Sequence, residues 1–206
     1  MTIRSLPLFP LPVILFPGTL IPLHIFEARY RTMVARIMDG DRQFGLLYHD
    51  PDEMGPFLNE PGRMGTVAEV KKVQPLPDGR SFILVRGLRR FRIVEETREG
   101  TPYFEARVAE VRDLPPADPE ALVTRRKKSL ELFRSMLRTL PHVPDALPVF
   151  DVERELSFKL AAAARMDPFW QQELLEMRDE AARLDRLDPV FRFGMDQWWE
   201  NGKGEA

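Results

Sequence analysis

The stretch LPLFPLPVILFPGTLIPLHIF, Leu6 to Phe26, decides the fold. Of its twenty-one residues only Thr19 and His24 carry polar side chains, yet Pro7, Pro10, Pro12, Pro17 and Pro22 interrupt it. A membrane helix needs about 20 apolar residues, so length alone permits one. Each interior proline, however, costs a helix about 3 kcal/mol. Only Arg4 supplies positive charge before the run, and no small-residue cleavage site follows it, so a secretory signal fits poorly. Short extended segments joined by turns satisfy the prolines, which push the preceding residue toward extended geometry. The stretch therefore reads as folded core: strands at 3–9 and 20–26 with a turn at Phe16-Pro17-Gly18-Thr19.

Two regimes extend outward from it and meet near LPPADPE, Leu114 to Glu120. Before that joint the apolar residues fall in short runs between turn residues. The exception is 27–38, where Tyr30, Val34, Ile37 and Met38 follow helical spacing and Asp39-Gly40-Asp41 ends the pattern. Further strands are expected at 44–48, 66–74, 81–85, 89–95 and 104–111. Asp78-Gly79 should form a tight turn, Gly87 a bend or bulge, and residues 49–65 an irregular loop. After the joint the apolar period becomes that of a helix. Asp118-Pro119 and Asp167-Pro168 are helix starts, Asp151 is a third candidate cap, and a last helix is expected over 178–191. The fold class is α+β: a β-rich lobe over 1–114, then an α-helical bundle over 115–206.

Composition narrows the function. The chain has 206 residues, 44% hydrophobic and 30% charged, with a net charge of −2. That balance argues against nucleic acid as a partner, although RGLRRFRI (Arg86 to Ile93) and TRRKK (Thr124 to Lys128) are locally basic. No cysteine occurs, which removes disulfides, thiolate metal sites and a cysteine nucleophile, and fits a cytoplasmic location. The sequence lacks a phosphate-binding glycine loop, a dinucleotide fingerprint and a nucleophile elbow, so no cofactor is expected. His24, His49 and His142 are too scattered to pair on a metal. Ser157 and Lys159 lie two apart on a helix and therefore point to different faces, which does not make a Ser-Lys pair. What remains is surplus apolar surface. Met54, Phe57 and Leu58 interrupt a Pro/Gly-rich loop, and Trp198 and Trp199 stand near the C-terminus; these are the candidate protein-binding residues.

Three segments carry a family pattern. LPLFPLPVILFPGTLIPLHIFEARYRTMV (Leu6 to Val34) resembles the opening of the Lon protease N-terminal domain. GTVAEVKKVQPLPDGRSFILVRGLRRFRI (Gly65 to Ile93) is similar to the second signature of that family, with its Leu-Pro-Asp-Gly turn and Gly-Leu-x-Arg-x-x-Ile end. ELSFKLAAAARMDPFWQQELLEMRDEAARLDRL (Glu155 to Leu187) resembles its helical part. The resemblance is to the stand-alone form of the domain, without the ATPase and protease domains. It implies a PUA-like pseudobarrel followed by helices, and a non-catalytic module that binds exposed hydrophobic segments of unfolded or partner proteins. A separate Lon protease is a second candidate partner. Matched positions are structural: Pro17-Gly18 and Asp78-Gly79 as turns, Glu27 and Arg29 at a helix start. RNA or small-ligand binding by the PUA-like lobe is the alternative, with Arg86, Arg89, Arg90 and Arg92 as RNA contacts.

Overall fold

A computed structural model describes residues 3–97, 100–139, 150, 152, 155–164 and 166–201, excepting the side chains of 196–201. Asp151, the expected cap, and Pro141 and His142 lie outside the described residues. The elements in chain order are β1 (Ile3–Leu11), β2 (Leu20–Ile25), α1 (Ala28–Met38), β3 (Gln43–Tyr48), α2 (Pro51–Met54), β4 (Met64–Pro75), β5 (Ser81–Thr97), β6 (Phe104–Val111), α3 (Pro119–Thr139), α4 (Leu156–Ala164), α5 (Pro168–Glu176) and α6 (Glu180–Asn201). This is the α+β composition the sequence implies. Among the described residues no helix is long and apolar enough to cross a membrane. The chain divides into two compact units, Met1–Arg112 with Asp167–Glu176, and Asp113–Met166 with Met177–Ala206.

In the first unit the strands run β2-β5-β4-β3-β1-β6, and β6 pairs back onto β5. The ring β5-β4-β3-β1-β6 is thereby closed, which removes most free edges. β1 and β3 are parallel and the remaining pairs antiparallel. β5 is one long strand where the sequence suggested two. Gly87 lies beside a bulge, since Val67 faces Arg89 while Ala68 faces Gly87. The extra residue, Leu88, switches which side successive side chains take. Ile83 and Val85 therefore join one core while Phe91 and Ile93 join another.

The first core packs α1 against the sheet through Tyr30, Met33, Val34 and Ile37, facing Phe9, Phe44 and Leu46. The second, inside the ring, contains Leu6, Leu8, Leu47, Val67, Phe91 and Val108. Tyr30 lies 4.0 Å from Phe9, ring centre to ring centre, and its hydroxyl is buried without a hydrogen-bond partner among the described residues. Burial pushes its phenol up to about 12; the Arg29 guanidinium opposes the shift and Glu27 adds to it. The ordinary value is 10.0, so the folded state binds this proton more tightly than the unfolded state. The stability this contributes is complete below pH 10.0 and is lost as the pH rises through about 12. A spectrophotometric titration should show a phenolate step near pH 12 that disappears in Tyr30→Phe. Persistence of that step in the variant would mean that another tyrosine produces it.

The helix starts follow the sequence logic. Asp118 accepts hydrogen bonds from the backbone N–H groups of Glu120 and Ala121, both at 3.0 Å, and caps α3 with Pro119 in the first position. Asp167 accepts from Phe169 N–H at 2.8 Å and caps α5 in the same way. α5 packs with the first unit, where Gln172 donates to the Met64 carbonyl at 3.1 Å and Arg90 to the Leu175 carbonyl at 2.7 Å. α6 continues ten residues beyond the expected end at Phe191 and passes through Pro189. Phe193 to Trp199, with both tryptophans, is therefore helical.

In the second unit Arg183 is 1% exposed and carries the packing. Its guanidinium pairs with Asp113, donates to the Met177 carbonyl at 2.7 Å and to Ser157 Oγ at 3.1 Å, and lies 4.1 Å from the Phe158 ring centre. A parallel strut joins α3 to α6: Arg125 pairs with Asp185 and, at 2.7 Å, with Asp188, which also accepts from Ser129 Oγ at 2.8 Å.

Candidate functional site

β2 contributes to the site because it stands outside the closed ring. Along 90–97 β5 is flanked by β6, but along 81–86 its neighbour is β2, whose other edge pairs with no strand among the described residues. One face of this β4-β5-β2 flap packs on α1 through Ile21, Leu23, Ile25, Ile83 and Val85. The opposite face carries the alternate residues, in register as Leu20 with Arg86, Pro22 with Leu84 and His24 with Phe82. Lys72 and Gln74 of β4 continue the rows opposite Leu84 and Phe82. Leu20 is 55% exposed, Phe82 45% and the adjoining Phe26 58%. The His24 ring stacks on Phe82 at 4.7 Å and lies 5.5 Å from Phe26, which gathers the three rings on one surface. His24 Nε2 is covered and has no hydrogen-bond partner among the described residues, so the imidazole serves as one more flat ring in this cluster.

The opening stretch thus needs a correction. Leu6, Leu8, Leu15 and Phe16 are core, as expected, but Leu20, Pro22 and Phe26 are exposed. Because the intervening Ile21, Leu23 and Ile25 are apolar too, β2 shows no alternation and its second face is invisible in the sequence. The only polar signal was His24.

The structure separates the residues singled out from the sequence. Met54, at the end of α2, and Leu58 are exposed. Phe57 is half-buried: it packs against the ring core, 4.6 Å from Phe104 and 5.3 Å from His49, with the Arg63 guanidinium 4.7 Å above it. Burial lowers the Arg63 pKa, with Glu60 opposing. Arg63 also donates to the Tyr48 and Leu58 carbonyls at 2.8 and 3.0 Å, which fastens the 49–63 segment. Of the two parts of the candidate set, Met54 and Leu58 lie near one another in sequence, whereas the side chains of Trp198 and Trp199 lie outside the described residues.

Other candidates resolve into structure. Arg90 is buried and bonded to the Leu175 carbonyl, and Arg89 donates to Gln43 at 3.2 Å; Arg86 and Arg92 remain exposed. In the other basic run, Arg126 donates to Glu180 of α6 at 3.1 Å. Ser157 is fully buried beneath Arg183, where its oxygen accepts a hydrogen bond and no substrate can reach it. Among the described residues no three His, Asp or Glu side chains converge to hold a metal ion. A cleft of about 280 Å³ beside Asn59, Thr97, Thr101, Tyr103 and Glu105 is polar and open. It falls just under the usual range for small-molecule sites, about 300–1,000 Å³.

The first unit is a closed β-ring with an open apolar flap, and the second is a helical unit carrying the Arg183–Asp113 and Arg125–Asp188 ion pairs. The family described as the ATP-dependent protease La (LON) substrate-binding domain matches residues 5–188. The chain belongs to that family. It is 30% identical over 200 residues to the Lon protease of Escherichia coli K12, covering 93% of this chain and 25% of that protein. With the Lon protease of Cytophaga hutchinsonii it shares 27% identity over 189 residues, covering 88% of this chain and 23% of the relative. The chain thus spans about a quarter of the length of these curated relatives. The N-terminal domain of Mycobacterium avium complex Lon protease superimposes with a TM-score of 0.66 at 22% identity, over 92% of this chain and 98% of that one. A Lon N-terminal domain protein from Xanthomonas campestris gives 0.59 at 24% identity, over 89% and 96%. These two likenesses establish the fold.

Proposed function

We propose that this chain is a non-catalytic protein-recognition module that holds exposed apolar segments of substrate or partner proteins on the open face of β2 and β5. The observation that carries this is the exposure of Leu20, Phe26 and Phe82 on one surface of a domain whose family is described as substrate-binding. Large aromatic and aliphatic side chains displayed together lose water contact when covered, which gives about 25 cal/mol per Å² of apolar area removed from water. Pro22 lacks an N–H and blunts the free edge of β2, so the partner lies across the face and does not add as a further strand. Met54 and Leu58 form a second, smaller apolar display on the same unit. The burial of Ser157 supports the absence of a Ser-Lys nucleophile. A cytoplasmic location and cooperation with a separate Lon protease accord with this reading.

The test is binding of a chemically unfolded, soluble model protein such as reduced, carboxymethylated α-lactalbumin. Phe26→Ser and Phe82→Ser together should weaken it at least about tenfold, the equivalent of about 1.4 kcal/mol. Both side chains are exposed, so the thermal midpoint should hardly change. Unchanged affinity in the double variant would remove this face as the site.

A further inference from the structure

The open face has a charged border as well as an apolar centre. Arg86 stands opposite Leu20, and Lys72 opposite Leu84, on the same side of the flap as Phe82. Both are exposed, and neither has a carboxylate within ion-pairing distance among the described residues. Glu69, in register with Arg86, is engaged by Lys71 at 2.6 Å. Two neighbouring ion pairs are neutral within themselves: Arg80 pairs with Asp78 at 2.6 Å in the β4-β5 turn, and Arg29 with Glu27 at 2.8 Å beyond Phe26. The uncompensated charge along this border is therefore positive, in a chain whose net charge is −2.

From this border we infer that the face selects extended peptide segments in which acidic residues alternate with, or adjoin, aromatic and aliphatic ones. The inference rests on the recognition reading above and adds the charge of the segment. A segment lying across the face covers Leu20, Pro22, Leu84, Phe82 and Phe26, and its carboxylates meet Arg86 at one end and Lys72 along the β4 side. An apolar segment carrying lysines meets the same hydrophobic surface but places like charges against this border. Surface ion pairs of this kind are individually weak and screened by salt, so they discriminate among apolar segments without creating affinity alone.

Two synthetic peptides of about 10 residues span the face in extended form. They carry the same Phe, Leu and Ile residues, one interspersed with Asp and Glu and the other with Lys. At low salt the acidic peptide should bind about fivefold more tightly, an advantage that shrinks as ionic strength rises. Arg86→Glu with Lys72→Glu should reverse the order, and Phe82→Ser should weaken both peptides alike. Equal affinity for the two peptides, with both still weakened by Phe82→Ser, would overturn the charge selection and leave the recognition reading standing. Failure of both peptides to bind, or binding indifferent to Phe82→Ser, would overturn both. A third arm uses vesicles of phosphatidylserine and phosphatidylcholine. If these bind through Arg86 and Lys72 while neither peptide does, the border serves an anionic lipid surface and the peptide assignment is wrong.

Discussion

Asp113→Ala should destabilise the helical unit by about 3 kcal/mol, the low end of the range for breaking one side of a buried ion pair. The reason lies in the unequal burial of the partners. The Arg183 side chain is 1% exposed and that of Asp113 32%. Removing the carboxylate strands a guanidinium in the interior, where Ser157 Oγ, the Met177 carbonyl and the Phe158 ring remain as its partners among the described residues. Water admitted at the exposed side of Asp113 limits the loss, which places it at the low end. Urea unfolding followed by circular dichroism measures it. The same reasoning predicts that Asp113→Ala combined with Arg183→Met recovers much of the lost stability, because the stranded charge is then gone. A double variant no more stable than Asp113→Ala would show that packing around Arg183, and not its charge, sets the cost.

Gly87→Ala should cost the β-rich unit roughly 3 kcal/mol or more, through overpacking combined with weakened backbone hydrogen bonds. A methyl group at this position would overlap the carbonyl oxygen of Phe16 and approach its carbon to 2.9 Å. Both are backbone atoms, so no rotamer change relieves the clash. The close approach is what docks the Pro17-Gly18 turn: Gly18 N–H donates to the Gly87 carbonyl at 2.9 Å, and Gly87 N–H donates to the Thr19 carbonyl at 2.9 Å. β2 begins at Leu20, so a displaced turn also loosens the flap that presents Leu20 and Phe82. Thermal unfolding gives the stability change, and binding of the unfolded model protein should fall with it. Full stability in Gly87→Ala would show that the turn can move aside, contrary to the register of β2 on β5.

Local chemistry made much of this fold legible. Prolines in Leu6 to Phe26 excluded a membrane helix, Asp-Pro pairs marked the starts of α3 and α5, and Asp78-Gly79 marked the β4-β5 turn. What escaped the sequence depended on long-range pairing. Gly87 indicated an irregularity, but whether it broke the strand or bulged it depended on how β4 and β6 pair along β5. Phe57, read as a loop residue available to partners, is half-buried because Phe104 and Arg63 meet it from distant segments. The open face was concealed for a further reason. In a strand apolar on both sides, composition cannot distinguish two buried faces from one, and only the departure of β6 from the first half of β5 leaves this one uncovered.

Amide hydrogen exchange on the protein, with and without the unfolded model protein, locates the surface that is covered on binding. Exchange in 20–26 and 81–86 should slow on binding, with little change across α3 and α6. Protection confined to 51–58 or to the helical unit, with 20–26 and 81–86 unaffected, would contradict the proposal and move the recognition surface elsewhere.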